Sequence, residues 1–368
     1  MRAVSPTRDN KLLLYFDHAS GMLPDAYALD VLRLMYTKYP ANQEALHRMA
    51  YEVRSALSQA EKQLSELLTG NQEYRAIAFS GGTSAIALLG KWKRLRNKRV
   101  LTTAMEHPSV NSSLKSAGAE CIRIPNGRDG RLLFGELPEA DAVFVHHVQS
   151  ETGVIQDLDR LFAGFPGAVK IADTIQSAAK LSLPRNADVL TVSGAKFGIP
   201  GAAALLVKKE YAGEIELLVR KEREEYKASR LLVPNFLAMS EVVSHRVKQM
   251  QSDLEHVSSL QKLCRQLAEK NGLRCTVPEK YSTPYICHLS LENVDGAVVV
   301  RLLGEAGICA GAGTACSAET GEPSAVLRAM GYSKKSAYGG LRISFSPSTQ
   351  ENDVKNLFDV LEKTLKNY

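Results

Sequence analysis

Between residues 74 and 209 the chain alternates short, almost wholly apolar runs with stretches of helical spacing. The runs are YRAIAFS (74–80), RVLTT (99–103), ECIRIP (120–125), DAVFVHHV (141–148), AVKIADT (168–174), VLTVSG (189–194) and AAALLVKK (202–209). Several are apolar at successive rather than alternate positions, the pattern of strands covered by helices on both faces. Seven such runs with helical segments between them predict an α/β domain with a largely parallel seven-stranded sheet between helices. Ligands of such sheets bind beyond the carboxyl ends of the strands. The residues just after each run are therefore where chemistry is expected.

Ahead of the sheet, NQEALHRMAYEVRSALSQAEKQLSELL (42–68) has helical periodicity. After it, NFLAMSEVVSHRVKQMQSDLEHVSSLQKLCRQLAEKNG (235–272) reads as a long helix with room for one break. A smaller α+β C-terminal domain follows, with strands near LRCTVP and YICHLSL and helices at VDGAVVVRLLGEAG and ENDVKNLFDVLEKTLKN. The expected division is a large domain over 15–255 and a small one over 256–368, the latter joined by residues 1–14. A length of 368 residues accommodates both cores.

Composition excludes several function classes. The chain is 45% hydrophobic and 23% charged, with a mild net charge of +6. Its basic clusters, KWKRLRNKR (91–99) and VRKEREEYKASR (219–230), read as solvated surface, and no nucleic-acid partner is expected. The first residues are polar and no run reaches about 18 apolar residues, so neither an export signal nor membrane contact is expected. Six cysteines without a CxxC pair point to a reducing cytoplasm. No metal site is expected, since adjacent His146 and His147 on an apolar strand face opposite ways.

Three strand ends carry candidate chemistry. After YRAIAF comes SGGTSAIALLG, in which Gly82, Thr83 and Ser84 open an apolar helix. Such a turn offers free N–H groups to a phosphate, or is an ordinary strand-to-helix connection. Asp173 closes AVKIAD, as a helix cap or as a functional acid, with Gln176 behind it. Lys196 follows VLTVSGA, just past Ser193, with Gly198, Pro200 and Gly201 behind it, a setting that can depress its pKa and make its amine nucleophilic. Each feature alone has a plain structural reading. Together, a phosphate cup, a strand-end acid and a strand-end lysine are what pyridoxal 5′-phosphate requires. His107, after another strand, could stack on its ring. Cys316, in AGAGTACSAETGEPS (310–324), sits among residues too small to bury it. Its thiol is either incidental or has to reach something.

With these motifs the chain resembles the cysteine desulfurases, within the class V aminotransferase group of pyridoxal-phosphate enzymes. The resemblance runs from YFDHAS (15–20) to LRISFS (341–346) through SGGTS, TAMEHPSV, ETGVIQD, ADTIQSAAK, DVLTVSGAK and GTACSAETGEPSAVLRAMG. It implies the fold type I architecture of pyridoxal-phosphate transferases, and it gives each motif residue a role. Lys196 would carry the cofactor, Asp173 would hold the pyridine nitrogen, and Gln176 would contact the ring hydroxyl. Gly82, Thr83, Ser84 and Ser193 would hold the phosphate, and Ser150 takes the place of an asparagine beside the cofactor. His107 would stack on the ring and carry a proton. Arg342 would clamp the carboxylate of an amino-acid substrate, with Asn42 nearby, and Cys316 would take the sulfur. The implied partners are a second copy of the chain in a homodimer and a sulfur-acceptor protein.

Two further departures from the family pattern stand out. Ala195 replaces a histidine before the lysine. KEREEYKASRLLVP (221–234) replaces a glycine-rich, arginine-containing loop, with Lys208, Lys209 and Arg230 as the cations that could compensate. Transamination and β-elimination are the alternative reactions of the same site, and a non-catalytic, partner-binding homologue is a third reading.

Overall fold

The computed structural model describes residues 13–226, 231–313 and 322–368, with side chains to 225 in the first span. Its elements in chain order are β1 (Leu14–Tyr15), α1 (Ala26–Lys38), α2 (Arg48–Thr69), β2 (Tyr74–Phe79), α3 (Gly82–Leu89), β3 (Arg99–Thr102), α4 (Pro108–Ser116), β4 (Glu120–Arg123), β5 (Ala142–His146), α5 (Leu158–Ala163), β6 (Val169–Asp173), β7 (Val189–Ser193), β8 (Ala203–Lys208), α6 (Lys209–Tyr226) and α7 (Val233–Lys270). There follow β9 (Arg274–Cys275), β10 (Ile286–Ser290), α8 (Gly296–Glu305), β11 (Ile308–Cys309), α9 (Ala325–Ala329), α10 (Lys334–Tyr338), β12 (Gly340–Ser344) and α11 (Glu351–Lys366).

All seven apolar runs are strands of one sheet, in the order β2-β8-β7-β6-β5-β3-β4. Only β8 runs against its neighbours, pairing antiparallel with both β2 and β7. Every residue of β5 and of β7 is buried, as strands covered on both faces require. The remaining strands run parallel, so the carboxyl ends of β3, β5, β6 and β7 share one edge of the sheet. The smaller sheet, β12-β10-β9, is antiparallel, and among the described residues β1 pairs with β11. Its core is closed by α11, which buries Val354, Leu357, Phe358 and Leu361 at helical spacing.

Two helices differ from expectation. The first begins at Arg48, not at 42, because His47 caps it by accepting from Ala50 N and because Asn42 turns back to accept from Glu44 N. The long helix has no break. Its first half packs into the large core through Phe236, Met239 and Val243, and its second into the small core through Val257, Leu260 and Cys264. Position 255, the expected domain division, thus falls inside α7. No described helix is long and apolar enough to cross a membrane.

The lysine segment is fixed by a close backbone approach. Gly198 has φ 75°, and a Cβ there would lie 2.6 Å from Pro24 Cα. Gly198→Ala therefore carries both a left-handed backbone penalty and a clash, together about 2–4 kcal/mol. Thermal unfolding of this variant is expected to fall by roughly 5 °C relative to the wild type. An unchanged midpoint would contradict this packing.

Candidate active site

A cavity of about 400 Å³ opens at the carboxyl edge of the large sheet, within the roughly 300–1,000 Å³ range of small-molecule sites. Its walls come from the strand ends: Thr83 from the first turn of α3, His107 after β3, Ser150 after β5, Asp173 and Gln176 at β6, Ser193 and Lys196 at β7, and Arg342 from the small sheet. The strand-end candidates thus meet at one place. Ser84 and Asn42 are not on its wall. Ser84 donates back to Gly81 O at 2.7 Å. Asn42 is used in the turn before α2. Cys316 and Arg230 lie outside the described residues.

Lys196 follows the last residue of β7 by three positions, and its Nζ donates to Ala19 O (2.6 Å) and Ser20 O (2.8 Å). Burial first, and the Arg342 guanidinium second, lower its pKa to about 8, against Asp173 and Asp17, which pull it up. The amine is thus basic enough to be charged at neutral pH yet releases its proton far more readily than an exposed lysine. Asp173 Oδ1 accepts from Thr191 Oγ1 at 2.6 Å and from Ile175 N at 3.1 Å. Gln176 Nε2 donates to Ala19 O at 2.7 Å, the carbonyl that Lys196 also uses.

Arg342, in β12, is 3% exposed. Its Nη2 donates to Asp17 Oδ1 at 2.6 Å and to Ser20 Oγ, and its Nη1 donates to Ser150 O at 3.0 Å. Its Nε has no partner among the described residues. Gly311 pairs with Arg342 through both backbone hydrogen bonds, and a Cβ at Gly311 would lie 2.8 Å from Arg342 Nη2. Gly311, five positions before Cys316, is thus held beside Arg342 with no room for a side chain between them.

Several participants carried no sequence signal. Glu106 is buried and accepts from Thr103 Oγ1 (2.8 Å), from His146 N (3.1 Å) and from the His146 ring at Nδ1 (2.8 Å). His146 lines the cavity, whereas His147 faces away and bonds Ser177 Oγ at 2.9 Å, as alternation on a strand demands. Glu151 is fully buried and accepts from Ser324 Oγ at 2.6 Å, which ties the chain just beyond residue 321 to the turn holding Ser150. Lys208 ion-pairs with Asp188 (2.8 Å) at the far end of β8, so it does not offset the altered 221–234 segment as expected. Ala195 lines the cavity with a methyl group only, and its carbonyl accepts from Met22 N.

The residues fit pyridoxal 5′-phosphate on one structural test. Gly82 opens α3 where a Cβ would come within 2.8 Å of Ile175 Cδ1, and Gly81 caps the helix without a side-chain bond. The first-turn N–H groups are left for an anion. Thr83 and Ser193 flank that cradle, and Asp173 and Lys196 lie on the same cavity wall.

Competitive acetic anhydride labelling across pH is expected to give Lys196 a midpoint near 8, the amine reacting only as free base. Arg342→Gln removes a cation that lowers this value, so the midpoint moves up. Asp173→Asn removes an anion that raises it, so the midpoint moves down. A midpoint in the range of exposed lysines, near 10.4, would contradict the buried setting.

The aminotransferase class-V family profile matches residues 14–357. A cysteine desulfurase of Gluconacetobacter diazotrophicus is 26% identical over 95% of this chain and 92% of its own length. A putative cysteine desulfurase NifS of Halalkalibacterium halodurans is 27% identical, covering 96% and 98%. Among solved structures, a NifS-like protein superposes with a TM-score of 0.83 at 20% identity, covering 97% of this chain and all of that one. The apo cysteine desulfurase of Thermococcus onnurineus gives 0.81 at 17%, covering 97% and 95%. With the profile spanning nearly all of the sequence over a matching fold, the chain belongs to the aminotransferase class-V family of pyridoxal-phosphate-dependent enzymes.

Proposed function

We propose that the chain is a cysteine desulfurase, converting L-cysteine and the Cys316 thiol to L-alanine and a Cys316 persulfide. The observation that carries this reading is the convergence of Lys196, Asp173 and Arg342 on one cavity, with Gly311, five positions before Cys316, paired to Arg342. The two desulfurase relatives support it by their names. When bound, pyridoxal 5′-phosphate supplies an aldehyde for amine attachment and an electron sink for the substrate α-carbon.

In this reading Lys196 carries the cofactor, Asp173 keeps the ring nitrogen charged, and Gln176 and Ser150 border the ring. Gly82, Thr83 and Ser193 take the phosphate. Arg342 binds the substrate carboxylate in the place now filled by Asp17. A free amine at position 196 takes the substrate α-proton and returns it, and His107, on the wall of the same cavity, holds a second proton. The Cys316 thiolate attacks the substrate sulfur. A sulfur–sulfur bond forms and the substrate carbon–sulfur bond breaks, so the thiol is oxidised to the persulfide as the substrate Cβ is reduced to the alanine methyl. A sulfur-acceptor protein then takes the terminal sulfur.

We also propose that the chain works as a homodimer, which its exposed apolar side chains support. Among the described residues, Leu23, Leu29, Leu34, Tyr36, Leu46, Met49 and Tyr51 are exposed within one stretch of 29 positions, Leu46 fully so.

Incubated with L-cysteine, the purified protein is expected to release alanine and to carry one persulfide. Cys316→Ser is expected to lose at least 100-fold of alanine release, an effect of about 2.7 kcal/mol. Transamination or β-elimination surviving that change at full rate would overturn the assignment. Sedimentation is expected to give a dimer, and Leu34→Glu to shift it towards monomer.

A further inference from the structure

His107, to which the proposed function gives a proton, caps α4 by accepting from Ser109 N at Nδ1 (3.2 Å). The Ser109 hydroxyl lies 2.7 Å from the same nitrogen. Among the described residues, both contacts to Nδ1 therefore come from Ser109. A backbone N–H can only donate, so it favours a neutral ring with Nδ1 bare and the proton on Nε2. Acting alone it would oppose protonation at Nδ1, the one nitrogen left to receive it. A hydroxyl can donate or accept.

We propose that Ser109 is a positioning residue for His107, its hydroxyl donating to Nδ1 of the neutral imidazole and turning to accept from Nδ1–H of the imidazolium. The ring can then take up and release a proton by rotation of one O–H, without leaving its place in the cavity. Ser109 is buried, and the cavity runs past both residues. This deepens the role given to His107 and rests on that reading only for why the proton moves. The hydrogen-bond switch belongs to the chain itself.

The charged groups facing His107 act differently. Burial lowers its basicity first, Asp173 from β6 raises it, Lys196 beyond β7 lowers it, and Glu106 from its own segment raises it. Glu106 is already bonded by Thr103 and His146. These groups act on the ring's charge through space, whereas the Ser109 hydroxyl acts through the hydrogen bond at Nδ1, the nitrogen that gains the proton.

The test is a nitrogen-15 histidine titration of the full-length chain by NMR, with His107→Gln assigning the resonance. The wild type is expected to show the Nε2–H tautomer when neutral. Ser109→Ala is expected to lower the His107 midpoint by about one pH unit, a tenfold loss of imidazolium at a given pH, and Ser109→Thr to restore it. An unchanged or raised midpoint in folded Ser109→Ala, or a neutral wild-type ring protonated at Nδ1, would overturn the proposal. Where Ser109→Ala does not fold, Ser109→Gly, which also lacks the hydroxyl, gives the same midpoint comparison, and a neutral wild-type ring protonated at Nδ1 still overturns the proposal. A shifted midpoint in a protein that makes no alanine from cysteine would support the switch while removing the desulfurase reading.

Discussion

Two cations, the half-buried Lys196 and the buried Arg342, hang on a single turn, Asp17 to Gly21, wedged between the large sheet and the smaller one. Towards the small sheet, Ser344 N donates to Phe16 O at 2.8 Å and Ala19 N donates to Ser344 Oγ at 2.9 Å. Towards the large sheet, Ala19 O takes Gln176 and Lys196, and Met22 N donates to Ala195 O at 2.9 Å. The turn shares its resources unequally. Arg342, which cannot give up its proton, receives the Asp17 carboxylate, while Lys196 receives only carbonyl dipoles. Burial without a full counter-charge is what makes the lysine the group that yields its proton.

The same imbalance extends beneath the cavity. Lys180 is buried over the Tyr285 ring at 5.3 Å, and burial, then Lys196 and Arg246, lower its pKa to about 7. His18 is held neutral, its pKa lowered to about 3 by burial first and Lys180 second. A region so rich in cations gains most from an anionic ligand, because each incoming negative charge relieves repulsion that the folded chain already carries. A phosphate at the α3 cradle is a charge the architecture lacks, and a substrate carboxylate at Arg342 would stand in for that of Asp17.

Much of this was legible in the sequence, and for physical reasons. Strands covered on both faces must be apolar at successive positions, so all seven central strands could be read. Asp173 and Lys196 each had a plain structural reading alone and stood out only in combination with the glycine turn that opens α3. The pairing of Asp17 with Arg342 was not legible, since 325 positions separate them and no local pattern links them. Glu106 and His146 were equally silent, 40 positions apart, each with an ordinary local reading. The early start assigned to α2 failed because periodicity continues through residues whose side chains bond locally instead. Asn42 was carried into the site by family resemblance, and the turn that it stabilises keeps it from the cavity wall.

The account rests on the Lys196 amine meeting an aldehyde in a cavity with an anion cradle beside it. The most direct measurement is the visible absorption of the purified chain titrated with pyridoxal 5′-phosphate, wild type against Lys196→Ala. The account predicts a saturable yellow band in the wild type that resists dialysis and is absent from the variant. A band of equal strength in Lys196→Ala, or none in the wild type, would contradict it.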